Sequence, residues 1–377
     1  MRLRSLLILT MAGLLAACNI SLPDDEASDP AANLTQIQLP DGFQIAVFAD
    51  QLPEARSLER SPEGTIYVGT RSTGTVYALR DTTGNHRADV MHVIADGLTM
   101  PNGVTWHQGS LYVAEVARIL RFDNIEARLN DPPTPVVVAN HLPDEEHHGW
   151  KFIDVGPDGK LYVPVGAPCN ICDPEPPFAS ILRMNLDGTG RETVARGVRN
   201  TVGFAWHPET QALWFTDNGR DWMGDDVPPC ELNRVTAMGQ HFGYPHVHGT
   251  NILDPEFGSG ADPADYRAPV QELGPHVAPL GMEFITSAAF PEAYRGDVLI
   301  AEHGSWNRST KIGYRITRVR LNDEHESVAY EPFATGWLQG DSNWGRPVDL
   351  EWMPDGSLLM SDDQSGVVYR IRYGADT

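Results

Sequence analysis

A repeated unit constrains this chain more than any other feature of its sequence. Each copy has a turn rich in Pro, Asp, Glu or Gly, then a strand-like segment, a short loop of small or acidic residues, and a second strand-like segment. The copies occupy residues 61–79, 104–122, 155–188, 204–218, 290–319 and 352–373. Six antiparallel units spaced tens of residues apart predict an all-β fold, a six-bladed β-propeller with one unit in each blade.

The composition agrees with that fold and narrows the range of partners. The chain contains 35 Gly and 29 Pro and has no long apolar stripe of helical period, so we expect little helix. It carries 51 Asp and Glu against 28 Lys and Arg, a formal net charge of −23. Nucleic acid selects basic surfaces, so we expect no nucleic-acid partner, and the acidity suits solubility outside the cytoplasm.

The first residues are typical of a targeting segment. Arg2 and Arg4 precede an apolar run that is too short for a transmembrane span. The run ends in Leu-Ala-Ala-Cys at residues 15–18, which is typical of the site where a bacterial lipoprotein precursor is cleaved and Cys18 is lipidated. An ordinary secretory signal with a chance cysteine is the alternative interpretation.

We therefore predict a signal peptide over residues 1–17, a lipidated Cys18 with a polar, Pro-rich tether over 18–37, and a propeller domain over 38–377. The expected location is the bacterial cell envelope, with the domain facing the periplasm and held to a membrane by its N-terminal lipid. Asn19 follows the cysteine where an Asp would favour the inner membrane, so the outer membrane is the expected one.

Three further cysteines would lie in an oxidising compartment. Cys169 and Cys172 form a CxxC motif, but Asp173 follows it where c-type haem attachment requires His. A single CxxC with no second pair argues against zinc. We expect a disulfide that ties the 167–178 loop to itself or to Cys230, and the pairing stays open at this point.

Two polar stretches are candidates for chemistry. In residues 145–166, the pair His147-His148 precedes a Pro-Asp-Gly turn, which predicts an imidazole at the end of one strand of a hairpin. An imidazole is a suitable base near neutral pH, although a lone histidine is often only structural. In residues 196–236, an oxygen-rich loop follows a strand and suits a hard cation such as calcium, or is simply a solvated connection.

Taken together, the chain resembles the quinoprotein sugar dehydrogenases of the soluble glucose dehydrogenase and L-sorbosone dehydrogenase type, over about residues 38–374. The motifs that carry the resemblance are His148 ten residues before the Asp of GPDG, Arg-Asn before VGFAWHP, an NGRD loop followed by ELN, then FGYP, and RPVDL before the last PDG. AEHGSWNRS and TDNGRDW place the chain nearest the sorbosone branch.

The resemblance implies a six-bladed propeller that uses pyrroloquinoline quinone (PQQ) and calcium. It implies that His148 is the base that removes the proton of the anomeric hydroxyl while hydride passes to the quinone. The residues it implies for cofactor binding are Arg199, Asn200, Arg346, Arg308 and Asn102. The backbone carbonyls of Gly219 and Arg220 are implied as ligands of the calcium ion.

The chain departs from the family pattern at several of these positions. His147 stands where the family has an acidic residue before its catalytic histidine, and Val348 replaces a second cofactor-binding arginine. Asn102 lies near the position of a cofactor-contacting glutamine, and Arg308 near that of a lysine. The ligands of a second, dimer-stabilising calcium are not evident.

The expected function is oxidation of an aldose or a sugar aldehyde to a lactone or acid. The sequence has no cytochrome motif, so electrons would pass to a separate acceptor such as a quinone or a cytochrome. A calcium-dependent lactonase and a non-catalytic ligand-binding propeller are the alternatives. Arg199 and Arg346 discriminate between the two enzyme classes, because a tricarboxylate cofactor needs them and a lactonase does not.

Overall fold

A computed structural model of the chain describes residues 33–374. Over that range the chain forms 29 β-strands and four short 3-10 helices, and six of its sheets have four or five strands each. These six sheets are the blades of a propeller, which confirms the predicted all-β, six-bladed fold.

The bounds of the elements are as follows. In chain order the strands are β1 (Phe43–Ala49), β2 (Ala55–Arg60), β3 (Ile66–Thr70), β4 (Val76–Arg80), β5 (Val90–Ala95), β6 (Gly103–His107), β7 (Ser110–Ala114), β8 (Ile119–Phe122), β9 (Val136–Ala139), β10 (Asp154–Val155), β11 (Leu161–Val165), β12 (Ser180–Met184), β13 (Glu192–Arg196), β14 (Phe204–Trp206), β15 (Leu213–Asp217), β16 (Pro229–Arg234), β17 (Gln240–His241), β18 (Val247–His248), β19 (Ile252–Leu253), β20 (Gln271–Pro275), β21 (Pro279–Phe284), β22 (Val298–Glu302), β23 (Arg315–Leu321), β24 (Ser327–Ala334), β25 (Leu338–Gln339), β26 (Ser342–Asn343), β27 (Pro347–Trp352), β28 (Leu358–Asp362) and β29 (Val367–Tyr373). The 3-10 helices are Leu34–Gln36, Ile125–Arg128, Pro263–Asp265 and Glu292–Tyr294.

The blades follow one another along the chain. Blade 1 is β2–β5, blade 2 is β6–β9, blade 3 is β10–β13 with β17 at its outer edge, and blade 4 is β14–β16 with β20. Blade 5 is β21–β24, and blade 6 is β27–β29 with β1 as its outermost strand. First strands of adjacent blades contact each other, as β2 does with β6 and β27, and this places the first strands around the propeller axis.

The core forms because successive side chains of the second strand of each blade pack alternately against the two neighbouring blades. In β3, Ile66 and Val68 face blade 6, whereas Tyr67 between them faces blade 2. Successive side chains of a strand point to opposite faces, so a strand with two buried faces is apolar at every position. Six main apolar clusters result, one between each pair of adjacent blades.

In five blades the sequence unit spans the two middle strands, from β3–β4 in blade 1 to β28–β29 in blade 6. The unit at residues 204–218 instead spans β14 and β15, the first two strands of blade 4. The placement of His148 differs from the prediction. It lies in the loop between β9 and β10, six residues before β10 begins at Asp154, and not at a hairpin strand end. The reason is that blade 3 has a very short first strand, so the residues ahead of it stay in the loop.

The cysteine pairing is local. Cys169 and Cys172 form a disulfide within the 167–178 loop, and Cys230 is a buried free thiol in β16. The predicted disulfide is therefore present, and its alternative partner, Cys230, is not used.

The predicted signal peptide, Cys18 and the tether up to residue 32 lie outside the described residues. Within residues 33–374, no helix has the length and apolarity needed to cross a membrane.

Ring closure depends on the pairing of β1 with β29, in which Phe43 lies opposite Tyr373. The Phe43 ring packs edge-on against Phe290, Phe333 and Tyr373, with centroid distances of 4.8–5.0 Å. It thereby joins the last strand of the chain to blade 5 across the closure.

We predict that Phe43→Ala lowers the free energy of unfolding by about 3–5 kcal/mol, because it opens a cavity where the ring closes. Chemical denaturation measures the change. The matched control is Val328→Ala on the outer strand β24, where the side chain is 57% exposed, and it should stay within about 0.5 kcal/mol of the unmodified protein. Equal effects of the two substitutions would contradict this account of the closure.

Candidate active site

One face of the propeller collects the polar residues that the sequence singles out. In an antiparallel blade, the chain enters the first strand and leaves the second strand at the same end of the sheet. His148, Arg199 and Arg346 lie in loops ahead of first strands, and Gly219 and His303 lie just after second strands. The topology therefore brings residues from distant parts of the chain to a single opening on the axis.

These loops surround a cavity of about 240 Å³. The residues that line it are Arg56, Arg71, His148, Trp150, Arg199, Asn200, Asn218, Gly219, Asp221, Cys230, His276, Ala278, Leu280, His303, Gly304, Trp306, Asn307 and Arg346. Five of the predicted site residues are among them, namely His148, Arg199, Asn200, Gly219 and Arg346.

Four guanidinium groups in the cavity wall give it a positive character within an acidic chain. Arg56 forms an ion pair with Asp363 at 2.9 Å, and Arg199 forms one with Asp221 at 3.3 Å. The other two arginines, Arg71 and Arg346, have no ion pair with a carboxylate in the part of the chain that the structure describes. The cavity therefore carries positive charge that its own walls do not neutralise.

Arg199 is held by the disulfide loop. Its Nε donates to the backbone oxygen of Asn170, and its Nη2 donates to Asn170 Oδ1, both at 2.9 Å. Asn170 Oδ1 also accepts from the backbone N–H of Asp221 at 2.8 Å, and Asn170 Nδ2 donates to the backbone oxygen of Asp221. Asn170 lies between the two bonded cysteines, so the short disulfide loop presents one side chain that fixes both members of the Arg199–Asp221 pair.

The backbone at Arg199 and Asn200 is fixed from the other side by Asp217 at the end of β15. The two carboxylate oxygens accept from the N–H groups of Asn200 and Arg199 at 2.6 and 2.8 Å. Burial raises the pKa of Asp217 to about 6, and these N–H groups limit the rise. The loop after β15 and the loop before β14 are thus one hydrogen-bonded unit.

His148 has a defined orientation. Its Nδ1 lies 2.9 Å from the backbone oxygen of Ala167, and a carbonyl only accepts, so Nδ1 carries the proton and Nε2 keeps a basic lone pair. Its backbone is left-handed, with φ of 54°. Gly166 permits this approach, because a Cβ at that position would lie 2.6 Å from His148 Cβ.

The charge state of His148 follows from its surroundings. Burial lowers the pKa of His148 well below its ordinary value, and the positive charge of Arg199 acts in the same direction, as a proton on His147 would. The imidazole is therefore neutral near pH 7 and able to accept a proton. His147 lies beside it, with ring centroids 4.1 Å apart, and burial lowers its pKa as well.

Sequence reasoning missed a second imidazole on the cavity wall. His303 Nε2 lies 2.8 and 2.9 Å from the two carboxylate oxygens of Asp363, which also binds Arg56. Burial lowers the pKa of His303 to about 4, so at neutral pH it is a neutral donor to that carboxylate. The Asp363 carboxylate sits just after β28, and only the fold brings it to residues from blades 1 and 5.

Three predicted site residues lie outside the cavity wall. Asn102 is buried and accepts from Arg56 Nε at 2.8 Å, so it acts on the cavity by orienting that guanidinium. The Arg308 guanidinium binds the backbone oxygen of Asp225. The Arg220 side chain forms a buried ion pair with Asp254 at 2.6 Å, which leaves only its backbone for the predicted role.

Several polar atoms of the wall are left without partners. Arg71 Nε, Trp150 Nε1 and Asn307 Oδ1 are buried and have no hydrogen-bond partner among residues 33–374. The Arg71 guanidinium lies 4.6 Å from the centre of the Trp150 ring, which orients both groups at the cavity. Buried polar groups are almost always satisfied, so these atoms indicate a bound polar ligand or water.

A side-chain metal cage is not part of this site. Across residues 33–374, no group of three or more His, Cys, Asp or Glu side chains is arranged to hold a metal ion. Any calcium ion at this face would depend on backbone oxygens, such as those of Gly219 and Arg220, together with a ligand.

Burial of His148 predicts how the free energy of unfolding depends on pH. The unfolded chain binds more protons than the folded one below about pH 6.5, because folding lowers the pKa of His148. Its contribution to stability is therefore lost as pH falls from 6.5 to 5. His148→Gln should remove that loss, so the difference in unfolding free energy between variant and parent should change by up to about 1.4 kcal/mol per pH unit over this range.

Denaturant unfolding of both proteins at pH 7, 6 and 5 measures this difference. Buried carboxyls such as Asp217, whose pKa is raised, act with the opposite sign in both proteins and cancel in the comparison. A difference that does not change between pH 7 and pH 5 would contradict the burial of a neutral His148.

Comparisons with known proteins identify the family of the chain. The glucose / sorbosone dehydrogenase family model matches residues 105–370. An uncharacterised protein of Borreliella burgdorferi is 34% identical over 351 residues, which cover 89% of this chain and 91% of that protein. A pyrroloquinoline quinone-dependent pyranose dehydrogenase of Coprinopsis cinerea is 32% identical over 123 residues, 28% of this chain and 16% of that enzyme.

Solved structures share the fold. The holo PQQ domain of the Coprinopsis cinerea pyranose dehydrogenase superimposes with a TM-score of 0.77 at 18% identity, over 89% of this chain and 97% of that one. A PQQ-bound aldose sugar dehydrogenase of Streptomyces coelicolor gives 0.64 at 20% identity, over 89% of this chain and 99% of that one. With a family match over most of the propeller, the chain belongs to the glucose / sorbosone dehydrogenase family.

Proposed function

We propose that this protein is a PQQ-dependent dehydrogenase that oxidises an aldose or a sugar aldehyde to a lactone or acid. The observation that carries the proposal is the cavity lined by four arginines, of which Arg71 and Arg346 have no carboxylate partner among the described residues. Both side chains are only partly exposed, and a cation withdrawn from water is costly unless it is paired, so the cavity suits a ligand with several negative charges.

PQQ has three carboxylates, which match the excess of guanidinium groups. Arg199, Asn200 and Arg346 are the residues that the sequence motifs assign to the cofactor, and all three line the cavity. Arg56 and Arg71 are two further candidates for its carboxylates, and the unpaired Arg71 Nε and Trp150 Nε1 are donors that an anion would satisfy. The wall thus offers charge and hydrogen bonds of the sign that this cofactor requires.

The part of the reaction that the protein's own residues carry out is proton transfer. PQQ, when bound, supplies an ortho-quinone that takes up the hydride of the substrate. His148 is the base in this proposal, because the hydrogen bond from Nδ1 to Ala167 leaves Nε2 free to accept the hydroxyl proton of the sugar. The imidazole starts neutral, since burial lowers its pKa, and the positive charge of Arg199 would help to return the proton to solvent.

Calcium is part of the proposal through backbone oxygens. Gly219 lies in the cavity wall, and the neighbouring Asp217 and Asp221 are fixed by hydrogen bonds to Arg199 and Asn170. A cation held there by the carbonyls of Gly219 and Arg220 would sit next to the cofactor and add to its charge stabilisation. A Ca²⁺-dependent step in cofactor binding is the expected sign of this arrangement.

The competing functions fit the cavity less well. A lactonase metal held by side chains would need a carboxylate or histidine cage, whereas the cationic groups dominate this wall. A simple ligand-binding propeller gives no role to a neutral His148 held in one tautomer.

We further propose that electrons leave to a separate acceptor, a quinone or a cytochrome. We also propose that the protein acts in the cell envelope, held by a lipid anchor at Cys18.

A cofactor titration tests the function. The purified protein is titrated with PQQ with and without Ca²⁺, and aldoses and sugar aldehydes are then added while the quinone absorbance is followed. We expect saturable binding that Ca²⁺ strengthens, then reduction driven by at least one sugar. Absence of PQQ binding would overturn the proposal, and binding without reduction by any sugar would overturn the dehydrogenase assignment.

Replacement of the base separates chemistry from binding. His148→Ala should lower kcat by at least about a hundredfold, because general-base catalysis contributes that much, while the Kd for PQQ stays within a factor of a few. His147→Ala is the matched control, and it should retain most of the activity. If His147→Ala abolishes turnover and His148→Ala does not, the two roles are reversed.

The disulfide loop should control cofactor affinity through Asn170. Asn170→Ala removes the hydrogen bonds that position Arg199 and Asp221, so we expect the Kd for PQQ to rise about tenfold, as measured by fluorescence titration. Asn170→Asp keeps the acceptor for Arg199 and should recover part of the affinity. Asn185→Ala, in a hairpin outside the cavity wall, is the control, and an equal effect there would contradict the role of Asn170.

A further inference from the structure

Two tryptophans stand exposed at the mouth of the cavity. Trp222 is 71% exposed and Trp306 is 63% exposed, which makes them the two most exposed large hydrophobic residues among the described ones. Their rings meet edge to face, with centroids 5.4 Å apart. Exposed apolar residues are unremarkable when scattered singly, but a contacting pair of the largest side chains beside a cavity indicates a binding surface.

The pair is held by a link between two blades. Trp222 follows Asp221 in the loop after β15, and Trp306 precedes Asn307 in the loop after β22. Asn307 Nδ2 donates to Asp221 Oδ1 at 2.7 Å, so the polar neighbours of the two tryptophans are bonded to each other. Arg308 adds a second link to the backbone oxygen of Asp225. The two rings are therefore fixed relative to one another and to the cavity.

The backbone of Trp222 is in an unfavourable conformation. Its φ is 71°, in the left-handed region that bulky residues rarely adopt. Such a conformation costs stability of its own, and burial of the ring does not repay it, because the ring is mostly in solvent. A strained, exposed tryptophan indicates that the ring contributes to binding and not to folding.

We propose that Trp222 and Trp306 form a stacking platform for a sugar ring beyond the one that is oxidised, so that the substrate is a disaccharide or a longer saccharide. This inference rests on the proposed function. Trp306 lines the cavity whereas Trp222 does not, so the platform begins at the wall and extends outward. The cofactor would share this cavity with the sugar that is oxidised, so a further sugar ring would lie outward, at the platform.

The chemistry of the surroundings fits a saccharide. The C–H faces of a pyranose pack on an indole ring, and its hydroxyl groups need acceptors and donors at the rim. Asp226, whose side chain is 90% exposed, and Arg308 lie close to the platform and offer both. A protein partner would need roughly 1,000 Å² of contact in total, and two rings among charged loops supply a small part of that.

Steady-state kinetics of the PQQ-loaded protein tests the platform, with glucose, maltose and cellobiose as probes. We expect a lower KM for at least one disaccharide than for glucose. Trp222→Ala should raise that disaccharide KM about tenfold and change the glucose KM much less. Trp222→Gly should have the same effect on binding without lowering the melting temperature, because glycine accepts the left-handed backbone. Met238→Ala, at another exposed position, is the control.

Calorimetric titration of the cofactor-free protein with the same sugars separates this inference from the proposed function. If the protein never turns over with PQQ but binds a disaccharide that Trp222→Ala binds about tenfold more weakly, the platform stands and the dehydrogenase proposal fails. Equal losses for glucose and disaccharides, or no effect on either, would overturn the platform. Slower electron transfer to a protein acceptor with unchanged sugar KM would overturn it as well and assign the tryptophans to partner docking.

Discussion

The pairing of the first strand with the last is the constraint on which the molecule depends. β1 completes blade 6 by bonding to β29, and Phe43 packs into the apolar cluster between blades 5 and 6. An open ring would leave a sheet edge exposed and would let the blades separate. Because the ring is closed, the first strands surround one axis. Residues that are hundreds of positions apart in sequence, such as Arg56 in β2 and Asp363 after β28, therefore meet at one face.

The cavity at that face has an excess of positive charge that the fold alone does not explain. The chain is strongly acidic, yet its axial cavity concentrates guanidinium groups. Arg199 and Arg56 are held by carboxylates and amides, whereas Arg71 and Arg346 keep unbalanced charge. Such an arrangement lowers the stability of the empty protein and favours a multiply charged anion, as expected of a preorganised site.

The sequence was sufficient for the fold and for part of the site. Alternating strands and turn residues are local signals, so the six repeated units could be found without a structure. His148, Arg199 and Arg346 lay in recognisable motifs, and all line the cavity. Arg56 and Asp363 gave no such signal, because their relation exists only across a separation of 307 residues. The disulfide partners and the role of Asn170 depended on loop geometry, which no short-range pattern encodes.

A structure of the protein determined with PQQ bound is the most direct test of whether the arginine-lined cavity holds this cofactor. We expect PQQ carboxylates within hydrogen-bond distance of Arg199 and of Arg71 or Arg346, with His148 Nε2 facing the quinone across the space for a sugar. Cofactor density outside this cavity, or a cavity that stays free of PQQ at saturating concentration, would contradict it.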